Sequence, residues 1–222
     1  MAERTEDDIL FEEIDDELRQ DQANKLWKAY GHYVIAIAIA IVVGVGGFKA
    51  WRYYDLTTRQ ADGERFTAAS ALAGGKKTED AYKAFSDIAA DGTKGYKVLA
   101  RFSQARLMAQ KGDNNGAAGA YRVLADDATL DSLYRDMAVI LGGLVELNIP
   151  DTDWMELEKR LTPLSVETNP WRFSAQEISA IAAQQNGDIK TARTLFTGLS
   201  KDAKAPQGVR ARAQEMLSIL GK

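Results

Sequence analysis

Apolar residues are distributed along this chain in two different ways. From Ala29 to Phe48, twenty successive residues (AYGHYVIAIAIAIVVGVGGF) carry no formal charge and lie between Lys28 and Lys49. At a helical rise of ~1.5 Å per residue the run reaches ~30 Å, the thickness of a bilayer hydrocarbon core. Beyond about residue 55 the apolar positions instead recur at helical spacing, in short blocks broken by turn residues. The pattern predicts one membrane-spanning helix followed by an all-α domain.

Eight positions of the run are Ile or Val, so insertion into lipid is favourable despite Gly44, Gly46 and Gly47. Trp27, Tyr30 and Tyr33 mark one end and Phe48, Trp51, Tyr53 and Tyr54 the other, as expected of rings that prefer the headgroup level. The alternation from Ile35 to Ile41 has strand period, but a lone strand leaves its backbone unsatisfied in lipid. A cleaved leader would place its apolar core close to a short basic start, whereas 28 residues with ten acids against four bases come first. An uncleaved single-pass anchor is the reading preferred over a buried helix of a soluble domain. Ala36, Ala40 and Gly44, at i, i+4 and i+8, form a small-residue face suited to packing against another membrane helix.

The chain divides accordingly into an acidic tail (1–28), an anchor with aromatic and basic flanks (29–54) and a helical domain (55–222). In the tail, Ile9, Leu10, Ile14 and Leu18 recur at helical spacing among acids, compatible with a short amphipathic helix or with a solvated segment. Basic residues flank the anchor almost equally, so charge alone leaves its orientation open.

Within the helical domain, turn signals at Lys111-Gly-Asp113, Asn148-Ile-Pro-Asp151 and Asn186-Gly-Asp188 recur about 37 residues apart. Aligned on them, small residues fall late in a first helix at Ala69, Ala105, Gly143 and Ala180, and early in a second at Ala81, Ala117, Met155 and Ala192. Four residues further come Phe85, Tyr121, Lys159 and Phe196. Small residues let two helices approach, and the aromatic fills the gap to the next pair. The set resembles the tetratricopeptide repeat, with its Ala-x3-Phe/Tyr spacing. The third unit departs at Met155 and Lys159, so its second helix, with Trp154, Leu157 and Leu161, is expected in another register. Pro206 to Leu220 reads as a capping helix with Val209, Ala213, Met216, Leu217 and Leu220 inward. The expected architecture is an α-solenoid of about four hairpins plus a cap, with Trp51 to Leu72 continuing the anchor into the first repeat.

Composition narrows the chemistry. The tail holds ten acids against four bases, which leaves the remainder near neutral and without the basic footprint of a nucleic-acid binder. There is no cysteine, and His32 is the sole histidine. With no nucleotide loop, zinc spacing or nucleophile motif, no catalytic, cofactor or metal site is expected, nor a small-molecule substrate. Asp113-Asn-Asn-Gly116 lacks the later ligands of a calcium loop and reads as a turn; Asp151, Asp153, Glu156 and Glu158 read as capping and solvent-facing. The functional surface is then the concave groove lined by first helices. Repeat register points Phe66, Phe102, Arg106, Met137, Leu144, Glu177, Ile181 and Gln184 towards it, a mixture suited to an extended or helical peptide.

FEEIDDELRQDQANKLWKAYGHYVIAIA, a span ending in GGFKAWRYY, and about four tetratricopeptide-like hairpins together resemble the ancillary SecYEG translocon subunit family, in its alphaproteobacterial form. The resemblance implies a bacterial inner-membrane protein with a cytoplasmic N-terminus and a periplasmic repeat domain. It further implies association with the Sec translocon and a parvulin-type periplasmic folding factor, and transfer of emerging client polypeptides to periplasmic chaperones. The alternatives are a scaffold or regulator of another envelope complex, in envelope biogenesis or cell division, and a regulator of inverted topology.

Overall fold

Ala, Leu and other good helix formers dominate the sequence, and the computed structural model is helical throughout, with no strand among the described residues. It describes the backbone of residues 6–221 and the side chains of residues 24–221. The chain forms two units, Met1–Arg59 and Gln60–Lys222, with the boundary inside the first helix, α1 (Glu6–Gly74).

In the first unit the apolar run lies on α1 without cover. Val34 to Val45 are exposed by half or more at every Ile and Val, and Val42 reaches 70 %. An aqueous surface of that size would be costly at about 25 cal/mol per Å² of apolar area. The helix is therefore a candidate membrane span. Among the described side chains of this unit only Gly31 is buried, beneath the Trp27 ring one turn earlier. The side chains of Ile9, Leu10, Ile14 and Leu18, on which an amphipathic tail depends, lie outside the described residues.

The second unit is a series of antiparallel hairpins. The end of α1 from Gln60 pairs with α2 (Thr78–Asp91), α3 (Lys94–Gln110) with α4 (Asn114–Ala125), α5 (Ser132–Glu146) with α6 (Trp154–Leu161), and α7 (Arg172–Gln185) with α8 (Ile189–Lys201). A 3-10 turn, Thr162–Leu164, follows α6, and α9 (Gln207–Leu220) packs on α8 and α7 through Val209 and Ala213. From α2 onward each helix packs on its successor, as in a solenoid.

The repeated small residues are where the helices meet. Ala69, Ala81, Ala105, Ala117, Ala180 and Ala192 are fully buried, and Phe85, Tyr121 and Phe196 are 0, 4 and 1 % exposed. Each such large side chain contributes roughly 1.5–3 kcal/mol on leaving water. In the third hairpin Met155 is 80 % exposed, and Leu157 and Leu161 take the buried places two residues later. Lys159 could not be buried without a partner, so α6 turns to present the leucines instead. The seven-residue link between α5 and α6, with Pro150, gives room for that shift; the other hairpins use three. Gly142 and Gly143 fit the same place. A Cβ on Gly142 would stand 3.1 Å from the Tyr121 Cβ, and one on Gly143 would stand 3.3 Å from Leu157 Cδ1.

Polar groups close both ends of the hairpins. Each tight turn contains a left-handed residue, Lys76, Gly112, Asp151 or Gly187. Asp113, Asp153 and Asp188 then cap the second helices, accepting from the amides of Gly116, Glu156 and Thr191. At the opposite end an arginine of the first helix reaches an aspartate where the second helix stops: Arg65 to Asp91 (2.7 Å), Arg101 to Asp127 (2.7 Å) and Arg172 to Asp202 (3.0 Å). The cation offsets a carboxylate placed at the negative end of a helix dipole. The third hairpin replaces the pair with Asn169 donating to Asp136 at 3.0 Å. Asp62 is a further tie, its carboxylate accepting from the Thr93 amide at the start of α3 (2.6 Å).

Candidate protein-binding groove

α5 carries apolar residues on more than one side because it packs on three neighbours, α4, α6 and α7. Ala138 packs in the α3–α4 core, while Ile140 packs among the buried residues of α6 and α7. The stripe left over contains Leu141 and Leu144 at i, i+3 and ends at Asn148. Leu144 is 45 % exposed. Facing it, α3 contributes Arg106, Ala109 and Gln110, and Tyr121 of α4 closes the side. Together they line a shallow depression of about 500 Å³.

Its electrostatics are simple. Burial pushes the Tyr121 hydroxyl above its ordinary pKa, and the nearby Arg106 guanidinium pulls it partly back. Asn148 donates through its side chain to the Leu144 carbonyl at 3.1 Å, which fixes the amide at the edge of the depression. Asn114 donates to the Asn148 carbonyl at 3.4 Å and joins the start of α4 to the end of α5. An apolar floor with one cation and three amides, Gln110, Asn114 and Asn148, suits a polypeptide segment that offers an apolar side chain and a carbonyl or carboxylate. No group of His, Asp or Glu among the described residues is arranged as a metal site.

Of the eight residues expected at the groove, the structure brings Arg106 and Leu144 together in this depression. The other six are distributed along the array. Phe66 stacks against Phe85 and Tyr96 at 5.2 and 5.9 Å between centroids. Phe102, 7 % exposed, packs on Tyr121, and Met137 rests on the same cluster. Glu177 accepts hydrogen bonds from Nε and Nη2 of Arg212 at 2.6 and 2.7 Å, joining α7 to α9. Ile181 packs on the α7–α9 core, and Gln184 has a buried Oε1 without a hydrogen-bond partner. In the first unit Ala36, Ala40 and Gly44 lie on the exposed apolar helix, with nothing within 4 Å of a Cβ built at Gly44.

Gln110, Tyr121, Leu141, Val145 and Asn148 are lining residues the repeat register did not supply. The signal for two of them was the Leu141-Leu144-Asn148 stripe, which runs along α5 into the turn that follows it. A second polar cavity, of about 340 Å³, lies between α4 and α6. There Glu146, 4 % exposed, receives Arg160 at 2.6 Å and Arg122 at 3.4 Å. Its charges satisfy one another, and it reads as a tie between hairpins.

Comparison with known proteins agrees with this architecture. No curated protein matches the chain. Residues 24–148, more than half of the sequence, match the family described as tetratricopeptide repeat-like domain. The match takes in the apolar run together with the first two hairpins and α5, the helices that build the depression. Paired helices meeting at Ala69, Ala105 and Ala117, with Phe85 and Tyr121 between pairs, are the packing of such repeats, and the chain belongs to the tetratricopeptide repeat-like domain family.

Proposed function

We propose that this protein is a membrane-tethered adaptor whose repeat domain binds polypeptides beside the Sec translocon and passes them to periplasmic chaperones. A tetratricopeptide-like domain is typically a non-catalytic, protein-binding helical-repeat module. The observation that carries the reading is the α3–α5 depression, where Arg106 and Leu144 offer a cation and an exposed apolar anchor on the first helices of successive hairpins. The candidate span supports the tether, since holding a weak binder near its target raises its effective concentration. In this reading the N-terminus is cytoplasmic, the domain periplasmic and the membrane the bacterial inner membrane.

A photo-reactive amino acid at Leu144 of the full-length protein in living cells tests the site and the partner together. Adducts with translocon subunits, a periplasmic folding factor or exported chains are expected, and Arg106→Glu should reduce them. Adducts confined to division or envelope-assembly proteins would replace the proposal with a scaffold of that complex. A phosphatase fused after Lys222 should be active only if the domain is periplasmic, and an inactive, stable fusion would overturn the topology.

A further inference from the structure

We propose that Lys49 and Arg52 hold the headgroup of an anionic phospholipid on one face of α1, an inference that rests on residues 29–48 crossing the bilayer. Lys49 and Arg52 are three residues apart and line a shallow saddle of about 640 Å³ on the helix surface. Its other end belongs to the apolar run, through Gly44, Val45 and Phe48, and Tyr53 and Leu56 stand on the far side of the cations. Nothing lies within 4 Å of a Cβ built at Gly44, so an acyl chain can lie against the helix there. The two cations need a partner from outside the helix. No Asp or Glu occurs between residues 22 and 54. The first carboxylate that follows, Asp55, is engaged by Arg59 at 3.0 Å. Cations at the edge of an apolar run lie at headgroup depth, where a phosphodiester is the abundant anion. Apolar groove, paired cations and phenol follow one another along the helix in the order of acyl chain, phosphate and headgroup alcohol. That order favours a phospholipid over a free anion.

Native mass spectrometry of the full-length protein, released from micelles containing equal phosphatidylcholine and phosphatidylglycerol, tests this. Phosphatidylglycerol should be retained preferentially. Lys49→Gln with Arg52→Gln should lower the preference roughly fivefold per cation removed, as expected for basic residues at a membrane surface. Arg52→Lys should keep most of it, and Arg59→Gln, which removes a cation already paired, should leave it unchanged. Equal retention of both lipids, an unaffected double variant, or an equal loss in Arg59→Gln would overturn the site. Displacement by millimolar inorganic phosphate would show a free-anion site instead and would equally overturn it. Carbonate extraction of cell membranes separates the two levels: a protein released by carbonate removes the span and the lipid site together. One that stays in the membrane without lipid preference removes only the site.

Discussion

Lys77 occupies the place that Asp113, Asp153 and Asp188 hold in the other three hairpin turns. Its backbone, at φ −88° and ψ 61°, matches theirs, yet its side chain accepts nothing from α2. Lys77→Asp should therefore add the missing cap, to the Asp80 amide, and stabilise the domain by about 1 kcal/mol. Glu79 and Asp80 in the same first turn will oppose part of that gain. Thermal unfolding of the full-length protein in detergent would measure it, with Asp113→Ala expected to lose a similar amount. The turn at Lys111-Gly-Asp113 was legible because Gly112, at φ 85°, is a residue the left-handed region favours. In the equivalent turn before α2 the signal is displaced, because Gly74 and Gly75 come first and the left-handed position, at φ 60°, falls on Lys76.

Two expectations belong to the helices. Gly119 lies in the exposed interior of α4, and a Cβ built on it meets nothing within 4 Å. Gly119→Ala should thus stabilise the chain by roughly 0.5–1 kcal/mol through helix propensity alone, read as a raised urea midpoint with an unchanged m-value. The pair joining α3 to the end of α4 should make stability fall in acid. Arg101, with Thr129, holds the Asp127 carboxyl down at about 2. A carboxyl depressed on folding stabilises above its unfolded value, near 3.8, and that contribution is lost as the pH falls through about 2. Asp127→Asn should flatten this part of the stability–pH curve in a series of melts between pH 5 and 2. The small-and-aromatic sets of the first, second and fourth hairpins could be found from spacing alone. For α6 the departure at Lys159 signalled another register, and contact with α5 and α7 settles it by covering Leu157 and Leu161 and leaving Met155 exposed.

For the repeat domain as a whole, coupling between neighbours is the property that matters. Leu157 is fully buried against α5 and α7, and Leu157→Ala should cost about 2–5 kcal/mol. Each hairpin contacts only its neighbours, so hydrogen exchange should quicken first in α5, α6 and α7 while α2 and α3 keep their protection. Equal loss of protection across residues 78–220 would show instead a single cooperative block. The sequence by itself determined the uncharged apolar run, the all-α class, the period near 37 residues and the buried alanines and aromatics. Those properties follow from local propensity and from which side chains water excludes. Tertiary structure alone decided that Arg106 and Leu144 share one depression while Phe102 packs on Tyr121, and that Glu177 is taken by Arg212. It also set the pairing of Arg65, Arg101 and Arg172 with aspartates 26 to 30 residues away. A helical face has a direction in the sequence, but which neighbour covers it depends on how successive hairpins stack.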